Sequence, residues 1–337
     1  SPTMATALPR ELDQGSVATD VQASTILKRK TTMDILIIGG SGHVSGATAR
    51  AALNAGHRVW TVTRGKREPI PGVTPLIADR ADTAALTAVV TGQNMSWDLV
   101  VDCICYDLPA IEQDIELFRD RARQFVLVST DFVYDPALRA FPQPATSPHY
   151  VTEGMGSMEY GRKKRLCERA LIDNDTGGMG WTVVRPCHIY GPTSELGCLP
   201  LHGRDKNLIA NLRAGKPVQL VGGGHFLQQP ILADDLAGTI VSIGGNGSAQ
   251  DRAFNTAGPD IIESWQYYQI IADVLGVALT VEEIPVDTYL AEHPEKTPFM
   301  CHRIYDLSPL RACGLSVPST PMAEGLRQHV TGLLARQ

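Results

Sequence analysis

The chain has 337 residues, 43% of them hydrophobic and 20% charged; that length suits about two domains of ~150 residues, and the composition excludes wholesale disorder. Thirty basic against thirty-six acidic residues leave a net charge of −6 at pH 7, which argues against a nucleic-acid binder working by bulk electrostatics. No apolar run reaches the roughly 18 residues of a membrane-spanning helix, so a soluble, cytoplasmic protein with no membrane partner is expected.

Residues 1–32 are polar and aperiodic, lack the apolar core of a secretory signal, and read as an extension to the fold. From Met33 the pattern changes. Ile35-Leu36-Ile37-Ile38 predicts a strand, Gly39-Gly40-Ser41-Gly42 a tight loop, and Val44–Ala55 a helix closed by Gly56. Strands follow at Val59–Thr63 and Pro75–Ala78, a helix at Thr83–Thr91, and a strand at Leu99–Cys103. Then come a helix at Pro109–Arg121, a strand at Phe125–Ser129, a helix over about Met158–Asp173 and a strand at Trp181–Arg185. Continuously apolar strands alternating with helices imply a parallel sheet covered on both faces. The predicted fold is doubly wound α/β.

After Arg185 the rhythm loosens. Helices at Asn207–Arg213, Ser264–Leu275 and Met322–Leu334 mix with strands at Val218–Val221 and Leu279–Ile284. Residues 33–185 are therefore expected to form a dinucleotide-binding domain, and 186–337 a smaller substrate region partly interleaved with it. The ligand cleft belongs outside the carboxyl ends of the strands. The seven cysteines are odd in number and scattered, unlike a disulfide scaffold. Cys103-Ile104-Cys105 lacks the spacing of a zinc site, so reduced structural thiols and no metal are expected.

The glycine loop joins the first strand to the first helix, where backbone N–H groups and the helix dipole favour a pyrophosphate. Gly39, Gly40, Ser41, Gly42, His43 and Val44 are its candidate contacts. The third glycine of the pattern falls on Ser45, with Gly46 one place late; serine is small enough for close helix packing. The second strand ends in Thr63-Arg64-Gly65-Lys66-Arg67, with no acid to accept from a ribose 2′-hydroxyl. Arg64 instead suits a 2′-phosphate, which favours NADP over NAD. Asp79, past the third strand, is placed to accept from the adenine amino group.

Tyr160 and Lys164 are four residues apart on a predicted helix, hence on one face. A phenol titrates near pH ~10, so acid–base work at neutral pH calls for nearby positive charge, which Lys164 would supply while holding the nicotinamide ribose. A hydroxyl at the end of the fifth strand should bond the same substrate oxygen; Ser129 and Thr130 both qualify.

These features together resemble the extended short-chain dehydrogenase/reductase superfamily of nucleotide-sugar epimerases, dehydratases and reductases, with a Rossmann nucleotide-binding sheet. The likeness runs from Met33 to about Gly325 and includes Val184-Arg185-Pro186-Cys187-His188-Ile189-Tyr190-Gly191-Pro192 and Gln229-Pro230-Ile231-Leu232-Ala233-Asp234-Asp235-Leu236-Ala237. It implies Thr130 as the catalytic hydroxyl with Ser129 as its neighbour, and Pro186 and His188 against the nicotinamide. It implies Asp131, Gln229 and Arg303 on the substrate, Arg303 taking a pyrophosphate, and a homodimer acting on a nucleotide-linked sugar. Two departures bear on the reaction. Phe132 stands where dehydratases carry a glutamate, and Phe226-Leu227-Gln228 lacks the arginine common before the second signature. The expected activity is epimerisation through a transient keto intermediate, with NADPH-dependent ketoreduction or dehydration as alternatives. A non-catalytic NAD(P)-binding regulator, or an RNA-associated protein on the same fold, is the reading from another class.

Overall fold

The computed structural model describes residues 32–155, 158–201 and 204–336. The expected N-terminal extension, apart from Thr32, lies outside the described residues. In chain order the elements are β1 (Asp34–Ile38), α1 (His43–Asn54), β2 (Arg58–Thr63), β3 (Thr74–Ile77), α2 (Thr83–Thr91), β4 (Trp97–Asp102) and α3 (Leu108–Phe118). They continue with β5 (Ala122–Val128), α4 (Glu159–Asp173), β6 (Gly180–Pro186), β7 (Ile189–Tyr190), α5 (Leu208–Arg213), β8 (Val218–Val221), β9 (Leu227–Gln228) and β10 (Ile231–Leu232). The remainder is α6 (Ala233–Ile243), β11 (Arg252–Thr256), β12 (Ile262–Glu263), α7 (Ser264–Leu275), β13 (Val281–Ile284), α8 (Val286–Glu292), α9 (Ser308–Ala312) and α10 (Met322–Leu334).

Seven strands form one parallel sheet in the order β3-β2-β1-β4-β5-β6-β11. The order reverses between β1 and β4, which opens a crevice at their carboxyl ends. Alternate residues of β1 serve opposite faces. Ile35 and Ile37 pack with Ala49 of α1 and with Leu236 and Ile240 of α6. Leu36 and Ile38 pack with Leu86 of α2, Ile111 and Phe118 of α3 and Leu171 of α4. Two covered faces are why the strand reads as an unbroken apolar run.

The sequence reading did not identify α6 as a helix or β11 as a strand. β11 is Arg-Ala-Phe-Asn-Thr, an edge strand whose short, mixed composition carries no continuous apolar signal. Its pairing with β6 brings the chain back to the main sheet after residue 186. A separate apolar cluster joins α5, β8, α7 and α10 through Leu208, Leu212, Leu220, Tyr267, Ile271 and Leu326.

One buried ionic group crosses these layers. Glu168 on α4 is fully buried and receives two N–H groups from Arg185 of β6, each at 2.9 Å. It also accepts from Ser129 at 2.6 Å and Arg165 at 2.8 Å. The remaining Arg185 nitrogen donates to the Tyr134 hydroxyl at 2.8 Å and the Ala145 carbonyl at 2.7 Å. Burial pushes the Glu168 carboxyl up, but Arg185 and the other donors outweigh it and hold it below the usual range. Glu168→Ala would strand Arg185 as an uncompensated buried charge, a loss of about 3–5 kcal/mol, read as a lower midpoint in chemical denaturation.

Candidate active site

The β1–α1 loop is shaped by its close approach to β2. Gly40 has φ +148°, and a Cβ there would lie 2.6 Å from the Thr61 Cβ. Ser45 takes the place of the pattern's third glycine without cost: it is buried, and its hydroxyl accepts from the Gly42 N–H at 3.0 Å. Serine thus fits under the loop and caps the helix as well.

Two cavities meet at this loop. The adenosine-side cavity, about 520 Å³, is lined by Gly39, Gly40, Ser41, Gly42, Arg64 and Asp79, together with Lys66, Arg67 and Arg80. Arg67 donates to the Ser41 carbonyl at 2.9 Å, fastening the basic segment to the loop. Arg80 is committed elsewhere, to Asp102 and, at 3.0 Å, to Asp114. Its guanidinium occupies the cluster of Asp102, Cys105 and Asp114, whose ligand atoms all lie within 4.8 Å of one another.

The catalytic cavity, about 490 Å³, is lined by Gly42, His43, Val44, Ser129, Thr130, Asp131, Tyr160, Lys164, Pro186 and His188. Most of the residues expected at the site therefore converge on these two connected spaces. Gln229 and Arg303 line neither.

Helix α4 supplies the catalytic side chains. Tyr160, Lys164 and Glu168 follow at i, i+4 and i+8 on one face. The first two meet the cavity and the third anchors the helix. Gly161 allows the approach, since a Cβ there would lie 2.1 Å from the Phe132 carbonyl oxygen. Tyr160 and Thr130 thereby line the same cavity.

Lys164 is buried and donates to the carbonyls of Cys105 and Val128, both at 2.6 Å. An ammonium has three N–H donors, so one remains for a ribose hydroxyl. Burial lowers its pKa, against opposing pulls from Cys105 and Asp102. Burial pushes the Tyr160 phenol up to about 12. Tyr106 and Asp131 push the same way, while Thr130 and Arg204 pull down.

Asp131, Gln229 and Arg303, expected on the substrate, each make buried contacts within the fold. Asp131 borders the cavity, but its carboxylate is only 2% exposed and is paired with Arg303, with Arg139 at 3.2 Å and with the Tyr305 hydroxyl. A carboxylate so buried requires cationic partners, and Arg303, 1% exposed, is consumed in that role. Burial raises the Asp131 carboxyl, yet Arg303 and Arg139 outweigh it and hold it below the usual range. Gln229 spans the fold instead, donating to the Gly258 carbonyl and accepting from the Tyr305 N–H, both at 2.9 Å. Beside Tyr160 the wall is aromatic: Phe132 lies 6.3 Å from its ring and 5.4 Å from that of Phe299.

Sequence reasoning missed Arg204, an exposed cation on the catalytic cavity. It sits in a loop with no local motif, so only the tertiary fold could reveal it. The same stretch turns Leu196, Gly197 and Asp205 toward a further cavity of about 440 Å³ that extends to Gln219 and Tyr268. The His43 ring is 2.5 Å from the Thr193 hydroxyl, and His329 of α10 donates to the Ser194 carbonyl at 2.7 Å.

The chain matches the NAD-dependent epimerase/dehydratase family model over residues 35–257 and belongs to that family. It is an NAD(P)-dependent enzyme of the short-chain dehydrogenase/reductase type. It is 25% identical to the chloroplast stem-loop binding protein of 41 kDa b of Arabidopsis thaliana over 259 residues, covering 74% of this chain but only 63% of that one. It is 23% identical to the 2′-dehydrokanamycin reductase of Streptomyces kanamyceticus, covering 86% of this chain and 81% of that one. Among solved structures, the UDP-glucose 4-epimerase of Thermotoga maritima, with UDP-glucose, superposes with a TM-score of 0.69 at 17% identity, covering 90% and 99% of the two chains.

Burial pushes both His43 and His329 down to about 4 from 6.5. The unfolded chain therefore binds more protons between those values, and stability falls as pH drops through that window. Denaturation at pH 7 and pH 5 should show a lower midpoint at pH 5, with a smaller drop in His329→Asn.

Proposed function

We propose that the chain is an NADP-dependent ketoreductase acting on a ketone of a sugar-like ring that carries a further appended group. The cation set at the end of β2 carries this reading: Arg64, Lys66 and Arg67 line the adenosine side where an acid would favour NAD. NADP is the usual reducing partner, and this moves the weight from epimerisation to net reduction. The two adjoining cavities fit a dinucleotide, the glycine loop taking its pyrophosphate and the free Lys164 donor its nicotinamide ribose.

When bound, the dinucleotide supplies hydride to the substrate carbonyl carbon. Tyr160 gives its proton to the oxygen, and Thr130 holds that oxygen by a hydrogen bond. A protonated phenol can give its proton to the far more basic developing alkoxide, and positive charge from Lys164 would make it a better acid. Asp131, held ionised, has no proton to give, which disfavours dehydration. The catalytic cavity, about 490 Å³ and bordered by Leu199 and Arg204, offers room for the appended group. Epimerisation of a nucleotide-linked sugar uses the same residues and is supported by the likeness to the UDP-glucose 4-epimerase. The name of the Arabidopsis relative raises RNA binding, against which stand the net charge of −6 and the retained Thr130, Tyr160 and Lys164.

Absorbance at ~340 nm with NADPH or NADH and a panel of cyclic ketones and UDP-sugars tests these readings. Arg64→Asp should cut the preference for NADPH over NADH by about tenfold or more, the loss of a charge-assisted hydrogen bond. Tyr160→Phe should cut turnover by about 10²-fold or more while leaving dinucleotide binding intact. Stem-loop RNA binding by wild type and Tyr160→Phe alike, with no dinucleotide bound, would overturn the enzyme reading.

A further inference from the structure

Two aromatic side chains with about half their surface open face the catalytic cavity: Tyr160, 48% exposed, and Tyr106, 52%. The first has its place in proton transfer. Tyr106, just after β4, lines both the catalytic and the adenosine-side cavities, as do Ile104, Gly42 and Ser45. The waist between the cavities is thus framed by the phosphate loop on α1 and by the segment after β4. A dinucleotide spanning both cavities must pass its ribose–phosphate link through this waist.

Tyr106 is also tied to the catalytic lysine. Lys164 donates to the carbonyl of Cys105, the preceding residue, and its ammonium lies 5.1 Å from the centroid of the Tyr106 ring. The ring is therefore held beside the ribose-binding ammonium and yet open to the cavity. Burial raises its phenol, so the side chain stays neutral beside phosphates. A rigid ring with few rotatable bonds offers large contact area for little lost entropy.

We propose that Tyr106 is a clamp on the dinucleotide: its ring closes over the nicotinamide ribose and the phosphate link at the waist, and so sets how long the dinucleotide stays bound. This rests on the reading that a nicotinamide dinucleotide spans both cavities. A contact of this kind acts chiefly on dissociation, which is the step a reductase must complete at every turnover.

The test uses the full chain as wild type, Tyr106→Ala, Tyr106→Leu and Tyr106→Phe. Stopped-flow fluorescence follows NADPH release into excess NADP⁺, and calorimetry measures adenosine 2′,5′-bisphosphate, which carries only the adenosine-side phosphate of the link and no nicotinamide ribose. The expected result is release faster by about tenfold in Tyr106→Ala and raised in Tyr106→Leu, which keeps bulk without a flat ring. Tyr106→Phe should stay within about twofold, because the ring is retained. Bisphosphate affinity should be the same in all four. Unchanged release in Tyr106→Ala, with wild type binding NADPH, would sink the clamp alone. Equal loss of bisphosphate affinity would also sink it, by showing damage to the adenosine side. Wild type that binds the bisphosphate but neither NADPH nor NADH would overturn the dinucleotide reading itself, and the clamp with it.

Discussion

The catalytic cavity depends on a carboxylate placed where water cannot reach it. Glu168 collects Arg185, Arg165 and Ser129 and so joins α4, β6 and the end of β5 around one charge. Burying such a pair is costly unless every lone pair is satisfied. That requirement makes the arrangement rigid: the helix can neither rotate nor slide without stranding a charge. Lys164 and Tyr160, one and two turns away on the same face, inherit that rigidity. Gly161 completes it by letting the helix rest against the Phe132 backbone.

The second buried charge group decides what the site lacks. Asp131 draws Arg139, Arg303 and the Tyr305 hydroxyl inward, so both arginines are spent on the fold. Left facing the catalytic cavity are the exposed Arg204, Lys164, the hydroxyls of Thr130 and Tyr160, and the ring of Phe132. The two acids nearest the chemistry are also driven apart. Burial pushes the Tyr160 phenol up, while Arg303 and Arg139 hold the Asp131 carboxyl below its usual range.

A shared sheet and glycine loop do not define a reaction. Proteins named as an epimerase, a reductase and a stem-loop binding protein are all similar to this chain. The features of this chain that bear on the choice of reaction are local: the basic run after β2, Phe132 beside Tyr160, and Tyr106 between the two cavities.

Local sequence was enough for the sheet's first six strands, the phosphate loop, and Tyr160 with Lys164 on one helix face. Each is written in a short-range pattern, whether an apolar run, a glycine turn or an i, i+4 spacing. The sequence did not reveal α6 or β11, because an edge strand has little apolar signal and gains its identity only by pairing. Nor could it separate a ligand-binding arginine from a structural one. Arg303 and Arg204 look alike in one dimension. Arg303 is buried because Asp131, 172 residues away, needs a counter-charge, whereas Arg204 is left facing the cavity. Charge neutralisation in a buried space is a property of the packed molecule, so only the tertiary structure decides which cations are free to act.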